Sequence, residues 1–344
     1  MTSWIARNVG IVTKCYGLNG LAMYMLSVKI CVCRCSHSTV SRIGNIINNI
    51  FAKIICKSYY KILHINILGG IVMSFPVTKN THIINSDIRT LISNRYKRIT
   101  KAINQTFWNS SSETAHSFYV GSYGRGTAIN TSDLDVLIEL PDTEFIHFSS
   151  LSGNGQSRLL QSVKNALLVT YPNTSIKGDG QVVIVQFSDG MKFEILPAFK
   201  KNTFLGWDGT YKYPDTHMGG NWMTTNPKAE QEAMKEKNDS SNGLLFESCK
   251  HVRYIRDNYF SSYHLSGILI DAFIYDAIGG WHFLRDGEQH LGGTDTFEEM
   301  LLKHYNKISL YGCIMPNLKA PGSRKDIDAS KGWETLGKVL KYMV

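Results

Sequence analysis

Asp133 and Asp135 stand two apart in Ser132-Asp-Leu-Asp-Val-Leu-Ile-Glu-Leu140, and Glu194 lies further on in Met191-Lys-Phe-Glu-Ile-Leu-Pro-Ala198. Val136, Leu137 and Ile138 read as a strand, and its period of two puts both aspartates on one face. Glu194, between Phe193, Ile195 and Leu196, is the one side chain there that a core does not accept, so a neighbouring strand is expected to bring it alongside. Two aspartates and a glutamate on adjacent strands make a hard oxygen donor set, suited to Mg²⁺ or Mn²⁺ and able to serve two ions. Such a set activates an attacking hydroxyl and neutralises a leaving pyrophosphate, which is the chemistry of nucleotidyl transfer.

The phosphate-binding half of that chemistry is expected at Gly121 and Ser122. Phe118, Tyr119 and Val120 form a short strand, Gly121 and Gly124 allow a sharp exit, and Ser122 is the expected cap of a helix whose free amides would face a triphosphate. Arg125, just inside that helix, is expected to assist. Gly-Ser alone marks an ordinary turn and Asp-x-Asp alone an exposed strand. The reading rests on their order: Gly-Ser, then Asp-Leu-Asp opening an apolar strand, then Phe-Glu-Ile-Leu-Pro.

In that order the residues resemble the nucleotidyltransferase superfamily that includes DNA polymerase beta, poly(A) polymerases, oligoadenylate synthases and cyclic GMP-AMP synthase. Gly121-Ser-Tyr-Gly-Arg-Gly-Thr-Ala-Ile129, Ser132-Asp-Leu-Asp-Val136 and Phe193-Glu-Ile-Leu-Pro-Ala-Phe199 look most like the bacterial cGAS/DncV-like nucleotidyltransferases, the CD-NTases with their SMODS domain. The resemblance runs from about Ile84 to the C-terminus and is specific at these motifs alone. It implies an α+β protein: a polymerase beta-like catalytic lobe, a mixed sheet with helices, plus a helical second lobe. It implies nucleoside triphosphate substrates, a cyclic di- or oligonucleotide product, antiphage signalling through a separate effector protein, and a cytoplasmic setting. Asp133, Asp135 and Glu194 would hold the metal, with Gly121, Ser122 and Arg125 on the donor phosphates. Relatives carry Arg-x-x-Lys on a second-lobe helix; here Arg253-Tyr-Ile-Arg256 departs from it. Lys250 or Arg256 is then the candidate triphosphate contact, a surface charge being the other reading of each.

Competing functions use the same motifs: adenylylation of a small molecule such as an aminoglycoside, nucleotide addition to an RNA end, modification of a protein hydroxyl, or an inactive binding module. The three carboxylates argue against the last. Charge bears on the RNA enzyme. The chain has 344 residues and a net charge of +9, yet eight of its 37 bases and none of its 28 acids fall in residues 1–72. The remainder is close to neutral, without the basic field expected of a stable duplex-DNA or RNA binder. Arg95, Lys97, Arg98 and Lys101 would line a nucleotide groove or form a solvated helix face, and Lys200-Lys201 is a second basic stretch.

Residues 1–72 are an atypical basic segment, read as a membrane-associating piece, an extension, or non-native sequence before a start at Met73. The abrupt change of composition favours the last. No strongly apolar, uncharged run long enough to span a membrane is present, and residues 73–344 are expected to need no membrane. Five of seven cysteines lie in the segment; Cys31-x-Cys-x-Cys-x-His37 lacks the paired spacing of structural zinc sites, and Cys249 and Cys313 are expected to be reduced.

Beyond it, the catalytic lobe is expected over 73–200 and a mainly helical lobe over 201–344. Ile88, Leu91, Ile92, Tyr96, Ile99, Ile103 and Phe107 recur at three and four, predicting a helix over 85–107 capped by Ser86 or Asp87. Residues 141–157 read as a loop, 158–171 as a helix, and 181–187 and 192–196 as a hairpin around Ser188-Asp-Gly190. Residues 200–226 read as an aromatic loop that contacts a base or seals the lobe seam. Helices follow over 227–236, 241–259, 265–278, 296–305 and 331–343, with Asp271 and Asp276 read as solvent-facing or capping groups.

Overall fold

The computed structural model describes residues 74–344 apart from 205, 290–294 and 311–315, with four short strands before them. These four are two antiparallel pairs, β1 (Val12–Tyr16) with β2 (Met23–Ser27), and β3 (Leu63–Asn66) with β4 (Gly70–Met73). The chain divides into compact units Met1–Lys61 and Ile62–Val344, and the account below concerns the second. β4 runs through the expected 72/73 boundary. The Cys31–His37 cluster and Cys313 lie outside the described residues, and Cys249 is a free, buried thiol.

Helix α1 (Ser86–Phe107) is capped by Asn85, whose side chain accepts from the Asp87 amide at 3.3 Å; Ser86 and Asp87, the expected caps, are its first two residues. The chain then forms β5 (Ser117–Tyr119), a single turn α2 (Gly121–Gly124), β6 (Leu134–Glu139), α3 (Asp142–Ser150), α4 (Gly155–Thr170), β7 (Ser175–Asp179) and β8 (Val182–Gln186). Long β9 (Lys192–Thr203), β10 (Gly206–Asp215) and β11 (Asn221–Thr225) complete a mixed seven-stranded sheet. Of these, β6 and β9 are parallel and the other pairs antiparallel. One edge of β9 serves two neighbours, β8 along its first residues and β10 along its last.

Two expected loops are structured instead. Residues 142–150 are helix α3, with Asp142 and Glu144 in the first turn, where they complement the helix dipole, and Phe148 buried below. Residues 206–225 are strands: Tyr211 and Tyr213 alternate into the sheet, but the register shifts between Trp207 and Tyr211, at Gly209 with φ +87°. That bulge interrupts the period-two signal in the sequence. The expected 200/201 boundary therefore falls inside β9, and the helical part begins at Pro227.

The sheet's helix-covered face is closed by α1 and α4, burying Ile92, Ile99, Ile103, Leu159, Val163 and Leu167 against Leu134, Val136, Ile138, Val183 and Ile195. Each such side chain contributes about 1.5–3 kcal/mol when fully buried. Helices α5 (Pro227–Ser240), α6 (Leu244–Tyr259), α7 (Gly267–Ala277), α8 (Phe297–Leu310) and α9 (Trp333–Met343) enclose a second core around Val252, Ile255, Ile270, Phe273, Leu336 and Leu340. Phe75 donates its amide to the Met343 carbonyl at 2.9 Å, and the Val77 amide reaches Glu298 at 2.7 Å, so the chain after β4 joins this helical part. No helix among the described residues is long and apolar enough to cross a membrane.

Candidate active site

Strand alternation sends Leu134, Val136 and Ile138 into the helix-backed core, which leaves Asp135 on the opposite face. The parallel register of β6 with β9 pairs Asp135 with Glu194, as the sequence predicts. Asp133 immediately precedes β6. Its approach is shaped by Ser132, whose hydroxyl accepts from the Ile129 amide at 3.1 Å and whose amide donates to the Ile129 carbonyl at 3.0 Å. The Thr131 hydroxyl beside it donates to Asp257 on α6.

Gly121 adopts φ +57°, and a Cβ built on it would fall 1.8 Å from Asp135 Oδ2. The Val120 amide also donates to the Asp135 carbonyl at 2.9 Å. The Gly-Ser turn is thus laid directly on the strand that carries Asp135. Ser122 is the second residue of α2 and not its cap; Val120 holds the cap position in extended backbone, with no side-chain bond.

Burial first, then the charges of Glu194 and Asp133, push the Asp135 carboxyl up to about 7, against the opposing charges of Arg125 and Lys192. Lys192 answers part of this negative field directly. Its Nζ lies 2.7 Å from Asp133 Oδ2 and 2.9 Å from Glu194 Oε1. Burial works against that ammonium, but the bonds to Asp133 and Glu194 outweigh it and hold its pKa above the ordinary lysine value. Beside the cluster opens a cavity of about 360 Å³, lined by Ile88, Tyr123, Asn130, Asp133, Met191 and Lys192 among others.

Arg125 is not free to reach a ligand. Its Nε donates to Asp271 Oδ2 at 2.9 Å and its Nη1 to Glu230 at 3.1 Å, so this residue of the Gly-Ser motif is tied to α5 and α7. Asp271, expected at the surface, is fully buried and also takes two bonds from Arg253, at 2.6 and 2.8 Å. Burial would raise its pKa, but Arg253 and then Arg125 hold it well below the usual carboxylate range. Asp276 is half-exposed and pairs with His304 at 2.9 Å. On α6, Lys250 pairs with Glu247 at 3.2 Å, and Arg256 bonds Asp257 at 2.6 Å and the Leu265 carbonyl at 3.0 Å. Arg256 therefore touches the Asp133 approach only through Asp257 and Thr131. Arg95 pairs with Asp189 at 2.9 Å and lies over the Phe187 ring, fixing the hairpin turn, and Lys200 pairs with Glu139 at 2.9 Å.

Sequence reasoning passed over Lys192 and the Asp271 network. Lys192 was open to the alternation argument used for the aspartates, standing two residues before Glu194 and so on the same face. Asp271 was flagged by its setting in Gly-Ile-Leu-Ile-Asp-Ala-Phe-Ile, where a buried carboxylate must have cationic partners.

Residues 77–238 match the family model of the Second Messenger Oligonucleotide or Dinucleotide Synthetase domain, SMODS. A curated relative, the cyclic AMP-AMP-AMP synthase of an Acinetobacter strain, is 26% identical over 141 residues, 41% of this chain and 39% of the relative. The matched stretch thus spans about two fifths of that relative's length. Among solved structures, the Elizabethkingia meningoseptica CdnE cyclic dinucleotide synthase aligns with a TM-score of 0.52 at 13% identity, over 76% of this chain and 97% of that one. The CdnE c-di-GMP synthase of Capnocytophaga granulosa aligns at 0.53 and 12%, over 74% and 80%. At such identities these structures establish the fold. The protein shares the fold of these two synthases. Over residues 77–238 it matches the SMODS domain, and in that stretch it is similar to the cGAS/DncV-like CD-NTases.

Proposed function

We propose that the protein is a divalent-metal-dependent nucleotidyltransferase that joins nucleoside triphosphates and closes the product into a cyclic di- or oligonucleotide. The observation that carries this reading is Asp135 in register with Glu194, with Asp133 at the strand entrance and Gly121 packed on the Asp135 carboxylate.

The donor set fits a hard cation. Three carboxylates share one strand-end face, one of them pushed up to about 7 by burial and then by the charges of the other two, and the cation between Asp133 and Glu194 is an ammonium. As they stand, no three His, Cys, Asp or Glu side chains among the described residues are arranged to enclose a metal ion. Asp133, Asp135 and Glu194 would hold Mg²⁺ or Mn²⁺, which when bound supplies charge neutralisation for an in-line phosphoryl displacement. The chain's own work is positional. Gly121 lets the α2 turn approach without a side chain between it and the carboxylates, and Ser122 offers a hydroxyl and an amide to the donor phosphates. Arg125 acts through Asp271 and Glu230 to hold that turn in place, and Arg256 through Asp257 and Thr131 steadies the approach to Asp133. An acceptor hydroxyl then attacks the α-phosphorus as pyrophosphate leaves, with no covalent enzyme intermediate.

The SMODS match and the curated synthase support a cyclic product, and with it antiphage signalling in the cytoplasm through a separate effector. The test is incubation of the full chain with labelled ATP, GTP, CTP and UTP in Mg²⁺ or Mn²⁺, phosphatase treatment and thin-layer chromatography, beside Asp133→Ala. A phosphatase-resistant product lost in the variant is expected. Linear products alone would replace the cyclase reading with RNA-tailing chemistry, and labelling of an added aminoglycoside would replace it with small-molecule transfer.

A further inference from the structure

We propose that Lys192 is a tethered counter-ion occupying the cation position of Asp133 and Glu194, which a divalent ion must displace before the site is loaded. This rests on the metal-dependent reading above and assigns a role to a residue outside the three carboxylates.

The placement of Lys192 is built into the fold. It opens β9 two residues before Glu194, so alternation puts its side chain on the carboxylate face. Its backbone is fixed on both sides. It pairs with Gln186 of β8, and the turn before it is closed by Phe187 donating to the Met191 carbonyl at 2.9 Å and by Asp189 accepting from the Met191 amide at 3.2 Å. Arg95 then clamps Asp189 to α1. The lysine stem thus starts from a fixed hairpin, and the ammonium bridges one carboxylate just before β6 and one on β9.

Electrostatics supplies the reason. Among the described residues no cation other than Lys192 forms an ion pair with Asp133, Asp135 or Glu194, while Arg125 is engaged by Asp271 and Glu230. A cluster of like charges left bare would strain the junction of β6 with β9. Lys192 holds it together in the resting protein, and the same two charge-assisted bonds must be broken when a metal ion takes those oxygens. The side chain is long and 28% exposed, so it has room to swing away.

The test measures metal binding directly, by titrating Mn²⁺ into the full chain and following free Mn²⁺ by electron paramagnetic resonance, with no nucleotide present. Wild type, Lys192→Met, Arg95→Gln and Asp133→Asn are compared. Losing the competing bonds should tighten Mn²⁺ binding in Lys192→Met by about tenfold or more. Arg95→Gln removes a nearby positive charge without vacating the cation position and should stay within about twofold of wild type. Equal affinity in wild type and Lys192→Met, or an equal gain in Arg95→Gln, overturns the proposal while leaving metal dependence standing. Absence of Mn²⁺ binding in all four proteins overturns the metal reading and this proposal with it.

Discussion

The Asp135 carboxylate rests against the α-carbon of Gly121 so closely that a methyl group there would fall 1.8 Å from Oδ2. The Gly-Ser turn and the Asp-Leu-Asp segment are therefore packed together through a missing side chain.

Gly121→Ala meets that contact and a backbone at φ +57°, so it must displace either Asp135 or the α2 turn. We expect loss of activity by at least about a hundredfold and a stability loss of about 1–3 kcal/mol. Product assays beside chemical denaturation check this; full activity would mean the turn relaxes freely.

Asp135→Asn separates catalysis from stability in opposite directions. A carboxyl raised from 3.8 to about 7 costs folding stability above pH 7, and that cost fades as pH falls toward 3.8. The amide removes it, so the metal-free variant should unfold at higher temperature than wild type at pH 8, by about 1–3 kcal/mol, while activity is lost. Calorimetry at pH 8 and pH 5 should show a larger gain at the higher pH.

Asp271→Ala leaves Arg125 and Arg253 buried without their shared carboxylate. Breaking a buried ion pair from one side costs about 3–5 kcal/mol, and urea unfolding should report it. An unchanged midpoint would show that the network contributes nothing to the fold.

Acid sensitivity above pH 4 should trace to one histidine pair. His82 Nε2 and His251 Nδ1 share a bond of 3.0 Å, and His251 also bonds the Phe75 carbonyl at 2.8 Å. Burial, then the nearby His251 and Lys250, lowers the His82 pKa to about 4; burial lowers that of His251 as well, the Phe75 bond opposing. The unfolded chain then binds more protons below pH 6.5, so stability is complete above that value and declines as pH falls toward 4. In thermal melts across this range, His82→Gln should flatten the decline.

The pairing of Asp135 with Glu194 and the hairpin that brings Glu194 could be read from residues because they obey local rules: alternation in Leu134–Glu139 and a Ser-Asp-Gly turn before Met191. Helix α1 was legible for the same reason, its apolar residues recurring along one side. What escaped notice has other causes. The cap at Asn85, a contact spanning two residues, was missed by one position. Strand β10 was hidden by the bulge at Gly209, and buried Asp271 is held by Arg253 and by Arg125, which lies 146 residues away. Arg125 itself was read as a ligand contact because a basic residue after a Gly-Ser turn carries no sign of which partner it meets.

The bonds from Arg125 to Glu230 and Asp271 have a mechanical consequence. They run from the turn beside the catalytic strand into α5 and α7, through side chains that exclude water. Parting the sheet from the helices on this side would leave the buried Arg125 guanidinium without either carboxylate, so the two are cross-linked here by charge as well as by packing.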